Sequence, residues 1–231
     1  MSLLDVGCGP GTITVDLAAV VAPGAVVGID PVASIIEQAQ QLLVERSLPN
    51  CAFETGDSYQ LEYADDSFDV VHAHQVLQHL REPVDALREM LRVTKPGGIL
   101  AVRDADYAGM IWSPRDPLLD RWMQLYHEMT ARNHVEADAG RYLLSWIHEL
   151  EVADVEHSWS VWTYATAELT AWWGGVWADR VLQSSFAEQA LEHDLSTPNE
   201  LEALADAWHQ WAQAPNAVFV IPHGEIVARK R

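Results

Sequence analysis

Residues 3–12 read Leu-Leu-Asp-Val-Gly-Cys-Gly-Pro-Gly-Thr, and this stretch decides the fold. A short apolar run ends in three alternate glycines, Gly7, Gly9 and Gly11. An amphipathic pattern follows at once, with Ile13, Leu17, Val20 and Val21 on one helical face. The reading is a buried strand, a tight glycine bend, and a helix whose N-terminus points at a ligand. Glycine suits the bend because a side chain would hold the backbone away from a ligand, and because some turn positions need φ > 0. The helix start offers unpaired N–H groups and partial positive charge, which favour an anionic or hydrogen-bond-accepting group. The spacing G-x-G-x-G departs from the dinucleotide fingerprint G-x-G-x-x-G, and no Gly-Lys-Ser/Thr of a phosphate loop follows.

Working outward, Pro23-Gly24 marks a turn, and Ala25–Asp30 reads as a second buried strand that ends in an acid. Asp30 lies about 20 residues after the glycines, near the offset at which a nucleoside ribose is caught. A carboxylate has only acceptor sites and suits two adjacent hydroxyl donors, although a turn or helix-cap acid would look the same here. Pro31 breaks the strand, and Ile35, Ile36, Ala39, Leu42 and Leu43 form the stripe of a second helix. Cys51–Glu54 is a short third strand followed by Thr55-Gly56-Asp57-Ser58, and Phe68–Ala73 a fourth. Pro83, Leu87, Met90 and Leu91 mark a further helix, Lys95-Pro96-Gly97-Gly98 a turn, and Ile99–Arg103 a fifth strand. Strand and helix alternate through residues 1–104, which implies a parallel sheet covered on both faces.

The composition narrows the function classes. Of 231 residues, 34 are acidic and 14 basic, giving a net charge of −20. Such a surface repels phosphate backbones, so nucleic acid is excluded as a partner. There is no apolar run long enough to span a membrane and no export signal. Two cysteines, Cys8 and Cys51, make neither a disulfide framework nor a metal site, and a cytoplasmic setting is expected. His72, His74 and His79 are clustered, but no Cys or Glu partner completes a ligand set, so no metal is expected.

The pattern Asp5-x-Gly7-x-Gly9-x-Gly11 resembles the first motif of the class I S-adenosylmethionine-dependent methyltransferases. Asp57, Phe-Asp-Val-Val at 68–71 and Arg-Glu-Met-Leu-Arg-Val-x-Lys-Pro-Gly-Gly at 88–98 resemble later motifs of the same family, closest in texture to the quinone-biosynthesis methyltransferases. The resemblance covers residues 2–104 by motif. It implies an α/β fold, a doubly wound Rossmann-like sheet of seven strands with the last antiparallel. It implies S-adenosylmethionine as cofactor, with Asp5, Gly7, Gly9, Gly11, Asp30, Pro31, Asp57, Ser58 and His74 as binding residues. Asp57 would accept from the adenine amino group, and the tip of strand four would line the methyl-transfer centre. His74, His79 and Asp104 are then candidate bases, if the acceptor must lose a proton, beside the reading that the histidines merely pack. The family usually carries helices ahead of the first strand, and the sequence shows none before Leu3, so an open pocket is expected.

Beyond Asp104 the texture changes. All ten tryptophans lie there. Residues 105–150 read as a helical, aromatic-rich lid over the acceptor site, and 151–231 as C-terminal strands and helices of the same single domain. Val152–Thr166 suits a strand, Ala167–Glu192 a helix, 199–213 a helix opened by Thr197-Pro198, and Ala217–Ala228 a final strand or bulged hairpin. The tryptophans read equally as helix core or as a pocket for a flat acceptor. The expected activity is methyl transfer to a small-molecule acceptor, aromatic or apolar, with a homodimer left open. A catalytically idle cofactor-binding relative and a nicotinamide oxidoreductase are the alternatives.

Overall fold

The computed structural model describes all residues, Met1–Arg231. The chain divides into two compact units. The first comprises Met1–Asp104, Ala139–Trp159 and Gly224–Arg231, and the second Ala105–Asp138 and Ser160–His223.

The first unit holds the glycine bend. Its elements are β1 (Ser2–Val6), α1 (Thr12–Val21), β2 (Ala25–Asp30), α2 (Ala33–Arg46), β3 (Cys51–Thr55), β4 (Phe68–His74), α3 (Pro83–Val93) and most of β5 (Thr94–Ala105). β1 pairs in parallel with β2 and β4, β2 with β3, and β4 with β5. The order is therefore β3-β2-β1-β4-β5, and the connections reverse direction between β1 and β4. That is the switch point at which open α/β sheets bind ligands, outside the carboxyl ends of the strands.

The parallel strands are buried because both faces carry aliphatic side chains. Leu4, Val6, Val71, Ala73, Leu100 and Val102 pack with Leu87 and Met90 of α3 on one face. Leu3, Val26 and Phe53 pack with Val15 and Ala18 of α1 and Ile36 and Ala39 of α2 on the other. The expected stripe on α1 holds in part: Leu17 and Val21 pack against the core, but the fully buried face is shifted from it. Thr14, Val15 and Ala18 are buried, while Val20 is 82% exposed. The cause is polar: the Thr14 hydroxyl donates to the buried Asp5 carboxylate at 2.6 Å, which turns that face inward.

The second unit contains β6 (Ile111–Ser113), α4 (Pro117–Arg132), α6 (Ala167–Gln183), α7 (Ser185–Glu192) and α8 (Pro198–Gln213). Two long strands, β7 (Val152–Tyr164) and β8 (Val218–Lys230), each contribute residues to both units. β8 pairs antiparallel with β6 through Val218–Val220, and β7 pairs with β8. The strands number eight, one more than expected, because β6 is a three-residue strand inside a region that reads as helical. The helix expected over 167–192 is two, since Ser184 ends α6 and its hydroxyl accepts from Phe186 N–H to cap α7. The Thr197 cap of α8 forms as expected, accepting from Glu200 N–H. Residues 105–150 divide: α5 (Ala139–Ile147) packs its Leu143 and Ile147 into the first unit's core.

Six tryptophans, at 112, 122, 173, 177, 208 and 211, are buried in the second unit's core with Phe219 at its centre. No helix is long and apolar enough to cross a membrane.

Candidate active site

The bend after β1 is built from left-handed backbone. Gly7, Gly9 and Gly11 have φ of 69°, 54° and 82°. The three differ in what a side chain would meet. At Gly11 an added Cβ would fall 2.5 Å from Phe53 Cζ and 3.0 Å from Ala39 Cβ, so this glycine serves packing of α1 on β3 and α2. At Gly9 it would meet nothing within 4 Å. The bend is therefore open over Gly9. α1 begins beside it with Gly11 as N-cap, no capping side chain and no acid in its first turn. Its leading N–H groups are therefore left for another acceptor.

Asp30 ends β2 and reaches back to this bend. Oδ2 accepts from Gly9 N–H at 3.2 Å, and Oδ1 accepts from Val32 N–H at 3.0 Å. Each carboxylate oxygen keeps further acceptor capacity. A cavity of about 270 Å³ opens beside Asp30, with Val6, Ile29, Val76 and Leu80 in its apolar wall. Of the residues nominated from sequence, Gly7, Asp30, Pro31, Ser58 and His79 line it. Asp57 lies in a smaller adjoining hollow of about 100 Å³ that shares Ile29 and Gly56 with the first, and Glu54 and Glu62 line it too. Asp57 Oδ1 accepts from Tyr59 N–H at 2.9 Å, an Asx turn that fixes the carboxylate. No Lys, Arg or Trp lines either hollow.

The remaining nominated residues stand away from the cavity wall. Asp5 is 2% exposed and braces the bend from below. Its Oδ2 accepts from Thr14, and Oδ1 lies 2.7 Å from His72 Nδ1, so one carboxylate ties β1 to α1 and to β4. His74 sits beside Arg103, whose Nη1 is 3.3 Å from His74 Nε2. Burial, then the Arg103 charge, then His72 lower the His74 pKa to about 4, and the ring stays neutral near pH 7. Asp104 is fully buried at the end of β5. Burial pushes its carboxyl up to about 7 against the opposing pull of the backbone N–H groups of Gln78, Leu77 and Val76. Of the three candidate bases only His79 reaches the cavity. Cys8, within the bend, is an inert thiol: burial, with Asp5 and Asp30 adding, pushes it up to about 12.

Sequence reasoning missed Gln75 and Val76 in the cavity wall, and Thr14 and His72 as partners of Asp5. The i, i+2 spacing of His72 and His74 on β4 places both on one sheet face and could have signalled the pair with Asp5. Gln75 has a left-handed φ of 55°, for which glutamine gives no local signal.

A parallel sheet, a side-chain-free bend at the switch point and an acid at the end of the next strand make up a Rossmann-like arrangement. The comparisons with known proteins specify it. The family described as a methyltransferase domain matches residues 1–168. An uncharacterised methyltransferase of Schizosaccharomyces pombe is 33% identical over 99% of this chain and 84% of its own length. The ubiquinone/menaquinone biosynthesis C-methyltransferase of Bdellovibrio bacteriovorus is 40% identical over 43% of this chain and 42% of its own length. The chain thus spans under half of that quinone-type relative. A phosphoethanolamine N-methyltransferase of Haemonchus contortus, solved with phosphomonomethylethanolamine and S-adenosylhomocysteine, superposes with a TM-score of 0.61 at 16% identity. That match covers all of this chain and 48% of the other, and it establishes the shared fold. The chain belongs to the methyltransferase domain family, and its fold is that of the S-adenosylmethionine-dependent enzymes.

Proposed function

We propose that this chain transfers the methyl group of S-adenosylmethionine to a small-molecule acceptor. The observation that carries the reading is the empty approach over Gly9, flanked by the uncapped start of α1 and by the Asp30 carboxylate. The residues suit the cofactor's parts. The amino-acid end carries a carboxylate that the free N–H groups of α1 would receive. The ribose offers two hydroxyl donors for Asp30, and the base an amino donor for Asp57. The acids around both hollows suit a sulfonium cation and oppose the pyrophosphate of a nicotinamide dinucleotide, for which no Lys or Arg is present.

The bound cofactor supplies a methyl group on a sulfonium, already an excellent leaving group. The protein's work is to bind, align and exclude water, and alignment of this kind contributes roughly 7–11 kcal/mol to a barrier. His79 lines the cavity, with its Nε2 3.1 Å from the Gln78 side-chain amide nitrogen, and we assign to it the proton of an acceptor hydroxyl or acidic carbon. His74, held neutral with a pKa of about 4, is a weak proton acceptor by comparison.

The test is calorimetric titration with S-adenosylhomocysteine and, separately, NAD, followed by transfer of labelled methyl to a panel of quinols, phenols and amines. Micromolar binding of the first ligand, none of the second, and label in one acceptor class are expected. Binding of NAD in preference to S-adenosylhomocysteine would refute the reading.

A further inference from the structure

Two consecutive residues at the end of β5, Arg103 and Asp104, each accept from a backbone N–H group of the segment that leaves β4. The Gln75 N–H donates to the Arg103 carbonyl at 2.7 Å. The Gln78 N–H donates to Asp104 Oδ1 at 3.0 Å. Asp104 is completely buried, and its Oδ2 has no hydrogen-bond partner. A buried carboxyl with an unused oxygen is a costly feature, and in a native structure it calls for a reason.

The reason lies in what the held segment does. Gln75 leaves β4 in a left-handed conformation with φ 55°, which a residue with a side chain adopts only when its surroundings impose it. The turn that follows, with its 3-10 segment Leu77–His79, brings Val76 over the bare face of Gly7. A Cβ on Gly7 would fall 2.5 Å from Val76 Cγ2, so the two are in close contact. Val76, His79 and Leu80 then form one wall of the cavity. Asp104 itself does not line that cavity.

The geometry points to Asp104 as a positioning residue: its carboxyl pins the Val76–Gln78 turn against the glycine bend, and through Val76 it sets the cavity's affinity for the sulfonium nucleoside. The affinity half of this inference rests on the cofactor reading of the cavity. The backbone half does not, because it concerns only which N–H groups the carboxyl holds.

The experiment pairs amide hydrogen exchange with S-adenosylhomocysteine titration in the full chain. Asp104→Asn keeps an acceptor oxygen for the turn. It is expected to bind within threefold of wild type and to keep residues 76–78 protected. Asp104→Leu removes the acceptor at similar size. Its amides at 76–78 are expected to exchange at least tenfold faster while those of β1 and β4 do not change, and its affinity to fall at least tenfold. A purely structural role would instead raise exchange across β1 and β4 together, and that pattern overturns the inference. So does an Asp104→Leu protein that frees the turn yet binds as wild type does. Should Asp104→Leu not fold, Val76→Ala decides the matter, because it loosens the contact with Gly7 and leaves Asp104 alone. A fivefold or greater loss of affinity is expected there, and wild-type affinity overturns the proposal. A wild-type chain that binds no S-adenosylhomocysteine overturns both the cofactor reading and the affinity half, whereas selective exchange at 76–78 in Asp104→Leu or its absence still decides the anchor.

Discussion

The two units differ in the polar atoms they bury, although each holds both bonded and unbonded ones, as Asp104 Oδ2 in the first and the Trp211 indole on the Ser113 carbonyl in the second show. In the first, buried polar side chains reach across elements to particular partners: Asp5 to Thr14 and His72, Asp104 to the turn after β4. In the second, the indole N–H groups of Trp112, Trp122, Trp173, Trp177 and Trp208 are buried with no hydrogen-bond acceptor. Those rings instead pack on one another. Trp122 meets Trp177 at 4.5 Å and Trp208 at 4.9 Å between ring centroids, both edge to face. An edge-to-face pair allows a weak N–H···π contact, which offsets part of the lost hydration. Directional bonds fix atoms to a few tenths of an ångström, and ring packing fills volume. The first unit therefore carries the machinery of the cavity, and the tryptophans of the second stabilise a core.

The largest effect expected from this contrast is on stability in the aromatic core. Trp122→Ala should cost about 3–5 kcal/mol of unfolding free energy, since Trp122 is fully buried among five aromatic neighbours. Urea denaturation followed by far-ultraviolet dichroism reads this directly. A loss below about 1 kcal/mol would show that the ring cluster is not what holds the second unit.

Next in size is a pH effect at a directional group. The Asp104 carboxyl, pushed up to about 7 by burial, binds its proton more tightly in the folded chain than in the unfolded one. Its contribution to stability is thus complete below the unfolded carboxylate pKa near 4 and is lost as pH rises through about 7. Asp104→Asn cannot ionise. The stability of the variant minus that of wild type should climb between pH 4 and 8, by on the order of 2–4 kcal/mol. Parallel stability curves for the two proteins would remove the buried ionisation from the account.

How far the sequence reached follows from the same contrast. The alternation of strand and helix, the bend at Gly7–Gly11 and the acid at Asp30 were legible because each depends on local pattern: period, a glycine, a strand end. The Rossmann-like fold and methyltransferase membership followed from them. The inward face of α1 was read only in part, Leu17 and Val21 but not Thr14, whose burial goes with a long-range hydrogen bond to Asp5 that no helical period reveals. Gln75 and Val76 escaped notice for a related reason, since the turn they belong to is bonded at Gln75 and Gln78 to Arg103 and Asp104 on a neighbouring strand. β6 was missed because three residues carry no period at all. The tryptophans were legible as a group and not singly: ring packing sorts them by shape, which spacing does not encode.

The middle-sized predictions separate binding from folding within the bend. Gly9→Val should lower affinity for S-adenosylhomocysteine at least 100-fold, which corresponds to about 2.7 kcal/mol, because the new side chain fills the open approach. Its folding cost should stay on the order of 1–2 kcal/mol, from the left-handed φ alone. Gly11→Val should reverse the balance, because its side chain would strike Phe53 and Ala39 inside the core. Equal losses of stability in the two variants would merge the roles assigned to these glycines. Asp30→Ala should weaken binding by about 1–3 kcal/mol through lost charge-assisted hydrogen bonds, and unchanged calorimetric affinity would take Asp30 out of the site.

The smallest effect is expected at His74, and it tests whether directional polar placement in the first unit extends to the tip of β4. Burial and the neighbouring Arg103 guanidinium lower its pKa from an ordinary 6.5 to about 4. The unfolded chain takes up this proton more readily than the folded one. The stability contribution is therefore complete above pH 6.5 and is lost as pH falls through about 4. The ring is only partly buried, so solvent screening reduces the effect to on the order of 1 kcal/mol. His74→Gln, which cannot take the proton, should lose less stability than wild type between pH 6.5 and 4. An acid limb of equal steepness in both proteins would mean that Arg103 does not hold the ring neutral. An NMR titration of the His74 ring that showed protonation near pH 6.5 would lead to the same conclusion, and it would return His74 to the set of side chains able to accept a proton near neutrality.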